Sequence, residues 1–233
     1  MKTPCIVVNC KAYEKGTGRH AVELARVAVR VSRECGVTVA LAVQPQDIPR
    51  VSATGVVTFA QHVDPIVFGA HTGHVLPVGV REAGAVGTLL NHSEKRLSVL
   101  SLQKSLSAAR SAGLQVVVCA RSPAVAQKIA PLAPDMIAVE PPELIGGDVA
   151  VSQAKPQVIT QTTNSIKNIP ILCGAGIKTA EDVRKALELG ARGILVASGV
   201  VNAPDPAQVL KSFAHEFCEF GRCASSFSKI RKF

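Results

Sequence analysis

The chain has 233 residues, 47% hydrophobic but only 3% aromatic, and a formal charge of +9. The length suits one domain with a full core; no apolar run approaches the ~18 residues of a membrane span, and residues 1–8 run into polar Asn9 too soon for a secretory signal. The excess charge points to an anionic partner, but Arg222, Lys229, Arg231 and Lys232 put much of it in the last dozen residues, and before the final helix only Tyr13, Phe59 and Phe68 are available for base stacking.

These properties argue against nucleic-acid and membrane partners and for a soluble, cytoplasmic protein. The seven cysteines (Cys5, Cys10, Cys35, Cys119, Cys173, Cys218, Cys223) are an odd number with no CxxC pair. Most read as small buried hydrophobes in a reducing compartment, not as a disulfide framework.

Taken in chain order, short β-branched runs alternate with amphipathic or Gly-marked stretches. Strands are expected at 5–9, 37–43, 56–61, 85–90, 115–119, 136–140, 171–173 and 193–196. Helices are expected at 20–34, 47–53, 78–82, 97–112, 123–130, 155–166, 180–189 and 206–220. Gly36, Gly113 and Gly190 each stand where a helix needs a left-handed terminator. Thr179, with Glu181 and Asp182 behind it, opens a helix with an N-cap and first-turn acids.

Strictly alternating Val- and Ala-rich units predict an α/β fold with a parallel sheet buried on both faces. Eight such units predict closure into a single-domain (β/α)8 barrel over residues 1–220. The alternative is an open doubly wound sheet, whose dinucleotide-binding form lacks the GxGxxG expected after the first strand. Residues 64–78 read as a long loop. Residues 221–233 form a basic, Ser-rich tail, expected to be disordered or packed on a neighbour.

In such a barrel, chemistry sits at the C-terminal ends of the strands. Those ends carry Asn9-Cys10-Lys11, Asn91-His92-Ser93-Glu94, Val139-Glu140-Pro141-Pro142, Cys173-Gly174-Ala175-Gly176 and Val196-Ala197-Ser198-Gly199. Glu140 precedes a proline, which biases it to extended backbone and holds its carboxylate at the strand end. The stretch 141–151, with stiff prolines first and Gly146-Gly147 later, has the make-up of a lid that excludes water. His92 is read as lying beside a helix N-terminus, whose dipole favours the neutral ring; a neutral His can donate to a carbonyl as charge develops. Lys11 supplies a cation for an anionic substrate, and Gly176, Ala197 and Ser198 offer backbone N–H groups to a phosphate. His71 and His74 alone are too few ligands for zinc, so no metal is expected.

These segments, together with Ala70-His71-Thr72-Gly73-His74 and Glu143-Leu144-Ile145-Gly146, resemble the archaeal type of triosephosphate isomerase from the first strand to the last helix. The resemblance implies a TIM barrel that interconverts dihydroxyacetone phosphate and D-glyceraldehyde 3-phosphate in glycolysis and gluconeogenesis, without a cofactor. It implies Glu140 as the proton-shuttling base, Lys11 as the stabiliser of the enediolate, and His92 as the neutral electrophile, an assignment taken over from the family. Asn9 would position substrate, and Ile145, Gly146, Gly176, Ala197 and Ser198 would hold its phosphate.

The loop of Thr72 would reach a second subunit near its Asn9 and Glu94, giving a homo-oligomer: a dimer at least, and a tetramer as in the short members. The lid departs from the family's Gly-Thr-Gly, reading Gly146-Gly147-Asp148 here. Competing readings are another phosphosugar barrel enzyme, an epimerase or an aldolase with a Schiff-base lysine, and a non-catalytic anion-binding protein.

Overall fold

The computed structural model describes residues 1, 3–141 and 150–230, the last ten by backbone alone. The apolar runs become eight parallel strands: β1 (Cys5–Asn9), β2 (Thr38–Val43), β3 (Val57–Ala60), β4 (Gly87–Leu90), β5 (Gln115–Ala120), β6 (Met136–Val139), β7 (Ile171–Cys173) and β8 (Gly193–Val196). They pair in sequence order, and β8 pairs with β1 (Cys5 opposite Gly193, Val8 opposite Val196), so the sheet is a closed barrel. That pairing eliminates the open-sheet alternative.

Burial follows the period of two. Cys5, Val7, Ala40, Ala42, Phe59, Leu89, Val117, Cys119, Met136, Ala138, Leu172 and Leu195 point inward and fill the bore. Their neighbours Ile6, Val8, Val39, Leu41, Val116 and Val118 point outward against the helices. Both faces are therefore dry, which is why the strands read as continuous apolar runs rather than as alternation. Large and small residues interlock inside: Phe59 occupies the space beside Gly87, and the Cys5 carbonyl and Leu172 crowd the Cα of Gly193.

The helices are α1 (Gly18–Cys35), α2 (Ile48–Ser52), α3 (Pro77–Glu82), α4 (Val99–Ser111), α5 (Pro123–Ile129), α6 (Val151–Ala154), α7 (Pro156–Ser165), α8 (Ala180–Glu188), α9 (Ser198–Val201) and α10 (Pro206–Ile230). Gly36 ends α1 at φ 67°, and Thr179 and Asp182 form a reciprocal capping box at α8. The structure adds detail to the sequence reading at three places. The helix expected at 155–166 is α7 to within a residue at each end, and the short α6 before it is set off because Lys155 precedes Pro156 and takes φ −140°, ψ 59°. The turn at 197–199 opens the short helix α9. The backbone of α10 continues to Ile230, through the boundary placed after residue 220.

The interlocking in the bore is testable. A Cβ at Gly193 would stand 2.5 Å from the Cys5 carbonyl oxygen and 2.8 Å from Leu172 Cδ2. Gly193→Ala should lower unfolding free energy by about 1–3 kcal/mol in urea titrations; an unchanged midpoint would contradict the β1–β8 register.

Candidate active site

Lys11 follows β1 in a left-handed conformation, φ 47°. Such a backbone costs a non-glycine residue about 1–3 kcal/mol and persists only where the surroundings over-determine it. Here the Lys11 N–H donates to Asn9 Oδ1 at 3.0 Å. Gln61 Nε2, from the end of β3, donates to the Lys11 carbonyl at 2.9 Å and to the Ala42 carbonyl at 3.2 Å. The side chain reaches Glu94, with Nζ 2.7 Å from Oε1. Asn9 is thus buried both to shape this corner and to line the cleft beside it. Gln61 was not singled out from the sequence; only its place at a strand end signals it.

His92 lies in the turn after β4. Asn91 pins that turn from φ 61°, donating to the Cys119 carbonyl and accepting from the Leu97 N–H, both at 2.9 Å. The Glu94 N–H donates to His92 Nδ1 at 3.2 Å, while the Glu94 carboxylate stays 3.6 Å from the same nitrogen. Nδ1 is therefore the acceptor, and this network assigns the ring proton to Nε2. His92 sits below its ordinary pKa because it is buried and because Lys11 is near, with Glu94 opposing. The neutral ring expected from sequence has a different cause from the one inferred there. Helix α4 begins only at Val99, seven residues past His92, and not at the imidazole.

Glu140 caps β6, its N–H donating to the Ala120 carbonyl at 2.8 Å. The residue is 4% exposed, with Oε1 3.7 Å from His92 Nε2 and Oε2 without a hydrogen-bond partner among the described residues. Burial pushes the carboxyl up to about 7, while the Cys119 thiol against it and the Lys11 ammonium pull it down. Gly174 leaves the room this side chain needs, since a Cβ there would meet Glu140 Cγ at 2.5 Å. Cys119, read from sequence only as a buried hydrophobe, is thus part of the carboxylate's surroundings, and its own thiol is held well above the usual range by burial.

The opposite wall comes from the turns after β7 and β8. Gly176 adopts φ 72°, Ala197 stands at φ −129°, ψ −97° before α9, and Gly199 lies where a Cβ would meet the Ile177 carbonyl oxygen at 2.6 Å. The backbone is bare there because side chains are excluded. One cleft brings together Asn9, Lys11, His92, Glu140, Gly176, Ala197 and Ser198, with Tyr13, Ile177 and Lys178 as additional lining. Ile145 and Gly146, expected on the lid, lie outside the described residues. Thr72 is not in the cleft but on the exposed 65–74 loop, and Glu94 touches the site through Lys11 and His92. Among the described residues no group of three or more His, Cys, Asp and Glu is placed to hold a metal ion.

The barrel and its rim define an enzyme of acid–base type: a buried base, an N–H donor and a cation face one cleft whose far wall is bare backbone. The triosephosphate isomerase family model matches residues 4–213. The chain is 45% identical over 216 residues to a triosephosphate isomerase of Methanosarcina acetivorans, covering 91% of this chain and 97% of the relative. It is 41% identical over 211 residues to that of Methanocaldococcus jannaschii, covering 88% and 96%. The crystal structure of the Bartonella henselae triosephosphate isomerase superposes with a TM-score of 0.74 over 92% of this chain and 98% of that one, at 20% identity, and so attests the fold. The chain belongs to the triosephosphate isomerase family.

The raised carboxyl has a consequence for stability. Between about pH 4.5, the ordinary value, and about 7, the folded chain retains a proton at Glu140 that the unfolded chain has released. Folding stability tied to this group is therefore present at low pH and lost as pH rises through that window. The unfolding free energy of Glu140→Gln should gain on wild type by about 1.4 kcal/mol per pH unit across it and stay level outside it. A pH-independent difference would show that the carboxyl titrates normally.

Proposed function

We propose that Glu140, His92 and Lys11 carry the family's aldose–ketose isomerisation, interconverting dihydroxyacetone phosphate and D-glyceraldehyde 3-phosphate through an enediolate. The observation that carries this reading is the 3.7 Å approach of Glu140 Oε1 to His92 Nε2 in one buried cleft. Groups side by side at that spacing can face a carbonyl oxygen and its adjacent carbon together. The carboxylate takes a proton from one carbon and returns it to the next, while Nε2–H donates to the oxygen on which charge develops. Lys11 adds a fixed cation beside that oxygen, and the N–H groups near Gly176, Ala197 and Ser198 face the phosphate. Hydrogen moves within one molecule as a proton, so the step needs no redox cofactor.

An aldolase mechanism fits the cleft less well. Its Schiff-base lysine must attack as a free amine, and Lys11 is tied to Glu94 at 2.7 Å. An epimerase would need a second acid on the opposite face of the carbon, where the described cleft lining offers no carboxylate besides Glu140, and a passive anion binder would leave the His92–Glu140 pair without a task. The catalytic unit in this reading is residues 1–220.

The active form is a homo-oligomer, at least a dimer and in the short archaeal pattern a tetramer. In support, Val67 and Phe68 on the 65–74 loop are each 73% exposed, an apolar tip suited to a second copy of the chain. Thr72 on that loop would meet Asn9 and Glu94 of the neighbour. A cytoplasmic place in glycolysis and gluconeogenesis follows from this activity; among the described residues no helix is long and apolar enough to cross a membrane.

A coupled assay should show Glu140→Gln reducing kcat by about 10²–10⁴-fold. In wild type, kcat/KM should fall as pH drops below about 7, where the base becomes protonated. Equal rates for wild type and variant would remove Glu140 as the base. His92→Gln should lower kcat by about 10²-fold with KM nearly unchanged; a loss confined to KM would count against an electrophile at this position.

A further inference from the structure

The described cysteines fall into two groups. Cys5, Cys10, Cys119 and Cys173 are buried in strands or at their ends. Burial pushes the thiols of Cys5, Cys10 and Cys173 up to about 12 and that of Cys119 well above its usual range. Such thiols are inert. Cys35 and Cys218 are half-buried and meet between α1 and α10, the first and last helices of the barrel.

Their meeting has a local reason. Cys35 is the last residue of α1, and the closing carbonyls of a helix have no partner within it. Cys218 of α10 supplies one, its Sγ standing 3.0 Å from the Cys35 carbonyl oxygen across 183 residues of sequence. This bond brings the Cys218 sulfur to the residue that carries the other thiol. The thiols are close enough to act on each other electrostatically: Cys35 is raised by burial first and by Cys218 next. An ion pair between Lys211 Nζ and Glu34 Oε2 at 3.0 Å keeps the two helices in register at the same place.

We propose that Cys35 and Cys218 are a redox modification site, joined as a disulfide by low-molecular-weight disulfides such as oxidised glutathione. One protein thiolate attacks the reagent's S–S bond, forming a mixed disulfide and expelling one glutathione thiolate. The second protein thiolate attacks the protein sulfur of that mixed disulfide and expels the other. Two electrons pass from the protein sulfurs to the reagent, and the two protons released by the cysteines end on the two glutathione thiols. In a reducing compartment the link is transient and forms only under oxidant load.

The output is stability rather than turnover. The C-terminal end of α1 feeds the start of β2, so the pair sits at the rim opposite the Glu140 cleft. A link between positions so far apart in sequence removes a large share of the unfolded chain's freedom.

The full-length enzyme, reduced and then treated with oxidised glutathione at pH 8, should lose 2 Da on forming the link and yield a non-reduced peptide joining Cys35 to Cys218. Its Tm should rise by about 5 °C or more, with kcat unchanged. Cys218→Ser keeps a hydroxyl donor for the Cys35 carbonyl, so its reduced form should melt with wild type while the response to oxidation disappears. Cys35→Ala leaves the carbonyl in place and should behave alike. Cys223→Ser, which removes the other α10 cysteine, should retain the full response. Stable uptake of glutathione without a cross-link, a linked peptide containing Cys223 in place of Cys218, or a Tm response persisting in Cys218→Ser would each overturn the assignment.

Discussion

The pairing of β8 with β1 is the constraint on which the rest of the molecule depends. Eight strand–helix units arranged as an open sheet would carry their loops along a line, and β1 and β8 would lie at opposite edges. Closing the ring puts Cys5 beside Gly193 and Val8 beside Val196. That closure brings the end of β1, with Asn9 and Lys11, against the end of β8, with Ala197 and Ser198. All eight C-terminal ends then share one rim, and residues from opposite ends of the chain can touch one small molecule. The closure is sterically narrow. Glycine at 193 is what lets the strands approach, and the bore is filled by a few large residues set against small ones.

Once the rim exists, its electrostatics follow from burial. Taking a carboxylic acid and an imidazole out of water shifts both toward their neutral forms, so Glu140 rises and His92 falls. Lys11 acts on both in one direction, favouring the charged carboxylate and disfavouring the charged ring. A single ammonium thereby biases the pair toward a base beside a neutral donor, the combination that proton transfer next to a carbonyl requires. The backbone at Lys11 is strained to place that ammonium, and Asn9 of β1 and Gln61 at the end of β3 hold the strain. Glu94 ties the cation to the His92 turn, so the three groups are positioned as one network.

Much of the architecture was legible because it is driven by local pattern. The strands at 5–9, 171–173 and 193–196 coincide with those read from apolar runs, and Gly36 and Thr179 mark helix ends as their chemistry demands. Two omissions were nevertheless local. Helices α6 and α9 have four residues each, too few for periodicity to reveal. The cause of the neutral His92 was misread for a different reason. A helix start at residue 97 looked near enough to matter, but Asn91 and Ser98 hold the intervening turn open, so burial and Lys11 supply the effect instead.

Sequence alone determined the number and order of the units and which residue types stand at each strand end, since periodicity and glycine or proline placement are properties of short segments. It also marked Glu140, His92 and Lys11 through their positions after apolar runs. Only the tertiary structure decided between the closed ring and the open sheet, that Gln61 and Cys119 belong to the surroundings of those three, and that Cys218 reaches the Cys35 carbonyl. These relations join residues from about twenty to nearly two hundred positions apart. They arise from packing distances and from the exclusion of water, neither of which any short stretch of chain encodes.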